Sequence, residues 1–172
     1  MTRSRLFILE GMDSTGKSTL AKHISEKIHA KIIKSSGPKS IQCSMEAHHL
    51  LNAGMAADLT SKGVPVVLDR HWPSEWCYAS TLRREECLKY PGISIMRMVN
   101  NLSPTYIYCT SDVGYETHLL SHGIAESDHC YTRQQYESVS RKYEMLFSHM
   151  GHIKYHLESD GRDIATFLGN IL

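Results

Sequence analysis

Leu6-Phe7-Ile8-Leu9-Glu10-Gly11-Met12-Asp13-Ser14-Thr15-Gly16-Lys17-Ser18-Thr19 is the stretch that decides the architecture. Leu6 to Leu9 are continuously apolar, the pattern of a strand covered on both faces. Gly11 to Ser18 then fill every fixed position of G-x-x-x-x-G-K-[ST]. Leu20, Ile24 and Ile28 recur at four-residue spacing and predict a helix over residues 19–29. Strand, glycine loop and helix follow in the order that phosphate binding requires. Gly11 and Gly16 let the backbone curl so that successive N–H groups face phosphate oxygens, and the helix aims its positive end at the same point. Gly11, Ser14, Thr15, Gly16, Lys17, Ser18 and Thr19 are therefore the candidate ATP-binding residues. Lys17 is placed to bridge the β- and γ-phosphates, and the Ser18 hydroxyl to sit on Mg²⁺.

Outward from this unit, apolar runs alternate with amphipathic stretches. Strands are expected at residues 31–33, 64–68, 106–109 and 152–157. Helices are expected at 41–61, 73–88, 95–101, 113–121, 133–148 and 163–172. Tyr136, Val139 and Tyr143 share a helix face, read as packing on the sheet. Residues 121–132 are polar, without apolar period, and read as a lid. The class is α/β, with a five-stranded parallel doubly wound sheet flanked by helices. The 172 residues suit one domain and bury a sizeable core without staples.

Composition narrows the partners. A formal net charge of +1 gives no whole-protein field for duplex DNA or an anionic membrane. No stretch approaches the ~20 apolar residues of a membrane span, and the N-terminal apolar run is too short for a signal-peptide core. The five cysteines include no C-x-x-C pair, so neither zinc nor a disulfide framework is expected, and a cytoplasmic location fits. The 11 histidines are scattered and read as mostly solvated; adjacent His48 and His49 point to different faces of a helix.

The strand at 64–68 runs into Asp69-Arg70-His71-Trp72-Pro73-Ser74. Ligands of parallel sheets sit at the carboxyl ends of strands, so Asp69 and Arg70 face the same crevice as Lys17. Asp69 can hold Mg²⁺ or orient an attacking oxygen, and Arg70 can clamp an acceptor phosphate. Trp72 and Tyr78 either stack on an acceptor base or pack in the core, and Arg83 is a further candidate acceptor contact. No N-K-x-D guanine-reading element is present.

Glu10 to Thr19 resembles the E-G-x-D-x-x-G-K-[ST]-T loop of thymidylate kinases. Asp69 to Tyr78 resembles their D-R-Y-x-x-S-x-x-A-Y stretch, with His71 in place of tyrosine and Cys77 in place of alanine. The resemblance implies a P-loop kinase fold and ATP- and Mg²⁺-dependent transfer to a deoxynucleoside monophosphate, dTMP or a related pyrimidine nucleotide. It places Asp13 near the acceptor's sugar and phosphate and Arg70 on its phosphate, and it implies a homodimer. Thymidylate kinases often carry R-E-P-G after the second strand; here Ser35-Ser36-Gly37-Pro38-Lys39 lacks that arginine, leaving Ser36 as the candidate acceptor contact. The family's catalytic arginine is absent from the loop, and residues 121–132 offer only His122 and His129. Either Arg133 or Arg141 swings in to bring charge to the migrating phosphoryl group, or a histidine substitutes, or turnover is slow; Arg133 is the candidate catalytic residue.

Two other readings stay open on the residues alone. One is transfer to a hydroxyl of a deoxynucleoside or modified base, with Asp69 as the general base; a nucleic-acid acceptor belongs here. The other is an ATP-sensing module with negligible turnover, suggested by the arginine-poor lid.

Overall fold

The computed structural model describes residues 5–35, 44–82, 92–112, 114–116, 132–157 and 163–172. Within these the strands are β1 (Leu6–Glu10), β2 (Lys31–Lys34), β3 (Val66–Asp69), β4 (Thr105–Ser111) and β5 (Ile153–Leu157). The helices are α1 (Lys17–Ile28), α2 (Met45–Ser61), α3 (Trp72–Leu82), α4 (Gly92–Asn100), α5 (Arg133–Ser148) and α6 (Asp163–Ile171). The five strands pair in parallel, in the order β2-β3-β1-β4-β5.

Burial follows that order. β1 is central and buried at every residue, which is why Leu6 to Leu9 form an unbroken apolar run; the charged Glu10 closes the strand, equally buried. β2 is an edge strand; it buries only Ile33 and turns Lys31 and Lys34 to solvent, a charge pattern that discourages pairing with another chain. Successive β1 side chains feed opposite layers: Leu6 and Ile8 join residues of α2, α3, α4 and α5, whereas Phe7 and Leu9 join those of α1 and α6. Each fully buried Leu or Ile there contributes about 1.5–3 kcal/mol relative to exposure. The row Tyr136, Val139 and Tyr143 is buried in the first layer.

Boundaries moved where backbone donors are missing or redirected. The third strand begins at Val66 rather than at residue 64. Pro65 has no N–H for a ladder, and the Val64 N–H turns back to Leu59 O at 3.0 Å. α2 starts at Met45, with the Ser44 hydroxyl accepting from Ala47 N at 3.2 Å. Thr132 and Gln135 form a reciprocal capping box that fixes the start of α5. Of the lid expected at 121–132, residues 121–131 lie outside the described residues, as do Cys43, Cys87 and Cys130, and Thr132 is the N-cap of α5. Cys77 and Cys109 are buried free thiols. Among the histidines, read as mostly solvated, His49 and His71 are buried, with their rings 4.9 Å apart.

No helix among the described residues is long and apolar enough to cross a membrane. β1 lies in the middle of the sheet, with β3 on one side and β4 on the other. Its carboxyl end therefore opens where the strand order reverses, and the loop to α1 lies there.

Candidate active site

The glycine loop takes the shape its sequence demands. Gly11 has φ 140°, and a Cβ there would lie 2.1 Å from the Cys109 carbonyl oxygen, so only glycine fits. Ser14 at φ 62° and Gly16 at φ 74° complete the curl. Gly16 is the N-cap of α1 and supplies no side-chain cap, which leaves the first turn of the helix suited to an anion. The Thr15 hydroxyl donates to Met12 O at 2.8 Å. Lys17 Nζ folds onto the same carbonyl and donates to Thr15 Oγ1 at 3.1 Å. Burial, helped by the like charge of Arg70, pushes the Lys17 ammonium down to about 8.

The two residues assigned to Mg²⁺ meet. Ser18 Oγ donates to Asp69 Oδ2 at 2.7 Å, joining the start of α1 to the end of β3. A hydroxyl and a carboxylate oxygen beside a phosphate loop are the donors a hard divalent cation takes, together with phosphate and water oxygens, so the residues fit the ion.

Arg70 is held from two sides. Its backbone is left-handed at φ 72°, a rare conformation for a residue with a Cβ. Its N–H donates to Leu9 O at 3.0 Å. Nη2 pairs with Asp13 Oδ1, and Nη1 donates to Gly11 O at 2.9 Å, Ser74 Oγ at 3.0 Å and Tyr143 Oη at 3.1 Å. The guanidinium stands 5.3 Å over the Tyr78 ring, and the Tyr78 hydroxyl donates to Asp13 Oδ2 at 3.2 Å. Burial opposes the Arg70 charge, but Tyr78, Tyr143, Asp13 and Glu10 outweigh it and raise its pKa.

Behind Arg70 lies Glu10, with no exposed surface. Its Oε1 accepts the His71 backbone N–H at 2.6 Å, and its Oε2 accepts the Ser74 hydroxyl at 2.6 Å. Burial lifts the Glu10 carboxyl to about 7, against the pull of the Ser74 hydrogen bond and the Arg70 charge. Burial likewise lowers His71 to about 4, so that ring is neutral packing beneath α2.

The residues singled out from the sequence separate into groups. Lys17, Ser18 and Asp69 cluster at the loop, with Asp13, Arg70 and Tyr78 beside them. Ser14 is half-buried on the loop, and Thr19 is exposed on the first turn of α1. Trp72, given both a stacking and a packing reading, is only 5% exposed, and its indole N–H donates to Tyr106 Oη at 3.0 Å; its burial matches packing. Arg133 pairs with Glu116 and stands 6.0 Å over the Tyr115 ring, with no contact to Lys17, Asp69 or Arg70 among the described residues. Ser36 and Arg83 lie outside the described residues. Sequence reasoning did not place Glu10, Ser74 or Tyr143 in the site. Glu10 left a signal as the charged residue that closes an apolar run, and Ser74 as a fixed position of the Asp69–Tyr78 stretch.

No protein-family model matches the chain. No curated protein matches it. Solved structures do. The YorR protein of Bacillus subtilis, in complex with phosphorylated GDP, aligns with TM-score 0.63 at 21% identity over 96% of this chain and 92% of that chain. Thymidylate kinase from Candida albicans aligns with TM-score 0.57 at 20% identity over 98% of this chain and 91% of that one. Deoxyadenosine kinase from M. mycoides with bound dATP aligns with TM-score 0.62 at 13% identity over 96% and 97%. The chain thus has the fold of the P-loop nucleotide kinases.

Proposed function

We propose that this protein is a nucleotide kinase of thymidylate-kinase type, transferring the γ-phosphoryl group of ATP to a deoxynucleoside monophosphate. The observation that carries the reading is Arg70, gripped by Gly11 O and Asp13 beside the joined Ser18–Asp69 pair. That arrangement sets a fixed cation for an acceptor phosphate next to a donor-phosphate loop. A Mg²⁺ ion on Ser18 and Asp69 supplies neutralisation of phosphate charge when bound. Lys17 leaves the Met12 carbonyl to meet incoming phosphate oxygens, exchanging one buried acceptor for a stronger anionic one. Arg70 orients the acceptor, and the reaction proceeds by positioning and electrostatic stabilisation. An acceptor phosphate is already an anion and needs no strong general base. The Ser18 hydrogen bond to Asp69 supports a metal role for that carboxylate over the proton-accepting role that a hydroxyl acceptor requires.

Arg133 is proposed as the lid-side cation, reaching the phosphoryl group after release from Glu116. The test of both readings is a transfer assay with ATP and Mg²⁺ on the common deoxynucleosides, their 5′-monophosphates, 5-substituted pyrimidine analogues and a DNA oligonucleotide. A monophosphate, dTMP being the first tried, is expected to outrun its nucleoside by about 10²-fold or more, the value of a lost bidentate clamp. Transfer only to hydroxyls overturns the acceptor assignment; ATP binding without transfer leaves the sensing module. In the same assay Arg133→Ala is expected to lower turnover more than acceptor affinity, and an unchanged rate removes Arg133 from the mechanism.

We also propose a homodimer through α2 and α4. Leu51 and Met55 on α2 and Ile93 on α4 are exposed at 62%, 46% and 65%. His49 on the same helix points inward to His71. Sedimentation should give twice the chain mass for the wild type and the single-chain mass for Leu51→Glu; a monomeric wild type refutes the dimer.

A further inference from the structure

Glu10 is a fully buried carboxylate for which the transfer chemistry has no direct use. Its hydrogen bonds have a forced direction. A carboxylate only accepts, so the 2.6 Å contact spends the single Ser74 hydroxyl proton on Glu10 Oε2. The 2.7 Å contact between Ser74 Oγ and Tyr143 Oη must then be closed by the phenol proton. Tyr143 Oη, having given its proton away, accepts from Arg70 Nη1 at 3.1 Å, and Ser74 Oγ accepts from the same nitrogen at 3.0 Å. The result is a one-way chain from Arg70 through Tyr143 and Ser74 to Glu10, tying the β3–α3 corner to α5 and β1. The other carboxylate oxygen holds the His71 N–H at 2.6 Å, immediately after the left-handed Arg70 backbone. Such a backbone persists only when its surroundings over-determine it.

We propose that Glu10 is the positioning residue of the acceptor clamp: it fixes the Arg70 backbone through His71 and orients the Arg70 guanidinium through Ser74 and Tyr143. Asp13 grips Nη2 from the crevice side and is 36% exposed, so it also faces solvent. The Glu10 chain grips Nη1 from the buried side and keeps the guanidinium edge in register when an acceptor phosphate competes for it. A neutral amide cannot replace the carboxylate. With its oxygen kept on the His71 N–H, Glu10→Gln presents an N–H to Ser74, the Ser74 proton turns to Tyr143, and the Tyr143 proton then competes with Arg70. The inference rests on Arg70 being the acceptor clamp.

The test is steady-state kinetics at pH 8, where Glu10 is ionised, with ATP and the leading monophosphate of the panel above. Glu10→Gln and Tyr143→Phe should each raise acceptor KM about tenfold, with kcat and ATP KM within about twofold. The double variant should be no worse than the poorer single one, because the groups form one chain. In an Arg70→Met background, Glu10→Gln should add nothing to acceptor KM. Equal losses in kcat and both KM values, or an additive effect on Arg70→Met, would assign Glu10 to fold maintenance and overturn the inference. Should Glu10→Gln fail to fold, Tyr143→Phe and Ser74→Ala cut the same chain with the carboxylate intact, and unchanged acceptor KM in both also overturns it. If Arg70→Met leaves acceptor KM unchanged, the clamp reading fails; if Arg70→Met raises it and the chain variants do not, only the present inference fails.

Discussion

Lys17→Met is expected to abolish phosphoryl transfer and, at the same time, to make the folded protein more stable. The rate prediction follows from the charge that Lys17 is proposed to bring to the donor phosphates. With it removed, kcat should fall by about 10³-fold or more, on the order of 4 kcal/mol of transition-state stabilisation. The stability prediction follows from burial. Lys17 is 6% exposed, and its ammonium titrates near 8 instead of the ordinary 10.5. Holding that charge in the fold at neutral pH therefore costs about 3 kcal/mol, to order of magnitude. The sign is fixed by proton counts. Between about pH 8 and 10.5 the unfolded chain keeps a proton that the folded chain has shed, so this residue's contribution to stability rises with pH across that window. Methionine keeps the stem and drops the charge, so its denaturation midpoint at pH 7 should lie above that of the wild type. Full activity in the variant would remove the phosphate-loop mechanism; a lower midpoint would show that the Met12 and Thr15 contacts of Lys17 outweigh its desolvation.

Arg70→Met has the next largest effect. Acceptor KM should rise by about 10²-fold or more, roughly 3 kcal/mol, with ATP KM unchanged. The methionine stem still covers Tyr78, while Asp13 and the Glu10 chain lose their cation. The same change alters stability in a pH-dependent way. Glu10 already titrates near 7 in the fold, against an ordinary value of 4.5. Over that interval the folded chain binds the extra proton, so stability falls as pH rises. Without the Arg70 charge the folded pKa moves higher, and the fall should extend to more alkaline pH. Denaturant titrations of both proteins at pH 6, 7 and 8 read this directly: parallel curves would show that Arg70 and Glu10 are not electrostatically linked. Equal loss of ATP and acceptor affinity would show that Arg70 serves the donor side instead.

The part of this architecture that could be read from the chain is the local part. The apolar run Leu6 to Leu9, the glycines at 11 and 16 and the four-residue spacing of Leu20, Ile24 and Ile28 each encode a conformation within a few residues of themselves. Side-chain alternation along a strand and the 3.6-residue turn of a helix are local properties, so strand, loop and helix followed from the sequence. Asp69 and Arg70 were legible for a related reason: a parallel strand delivers whatever follows it to the carboxyl edge of the sheet.

What the tertiary structure alone decided lies at long separation. Tyr143 read as a packing residue on its helix, and it is one. Its hydroxyl nevertheless reaches Arg70, 73 residues away, and lies 3.5 Å from Glu10, 133 residues away. His49 and His71 carry no apolar signature, yet they are buried together because α2 lies over the end of β3. Trp72 carries both a stacking and a packing reading in the sequence; its indole N–H donates to the Tyr106 hydroxyl, 34 residues away. Sequence patterning specifies which face of an element is turned inward; it does not specify which face of which other element arrives there. That pairing is set by strand order and helix packing, which bring β1, α3 and α5 to one point and so turn a strand-end glutamate, a serine and a core phenol into the support of Arg70.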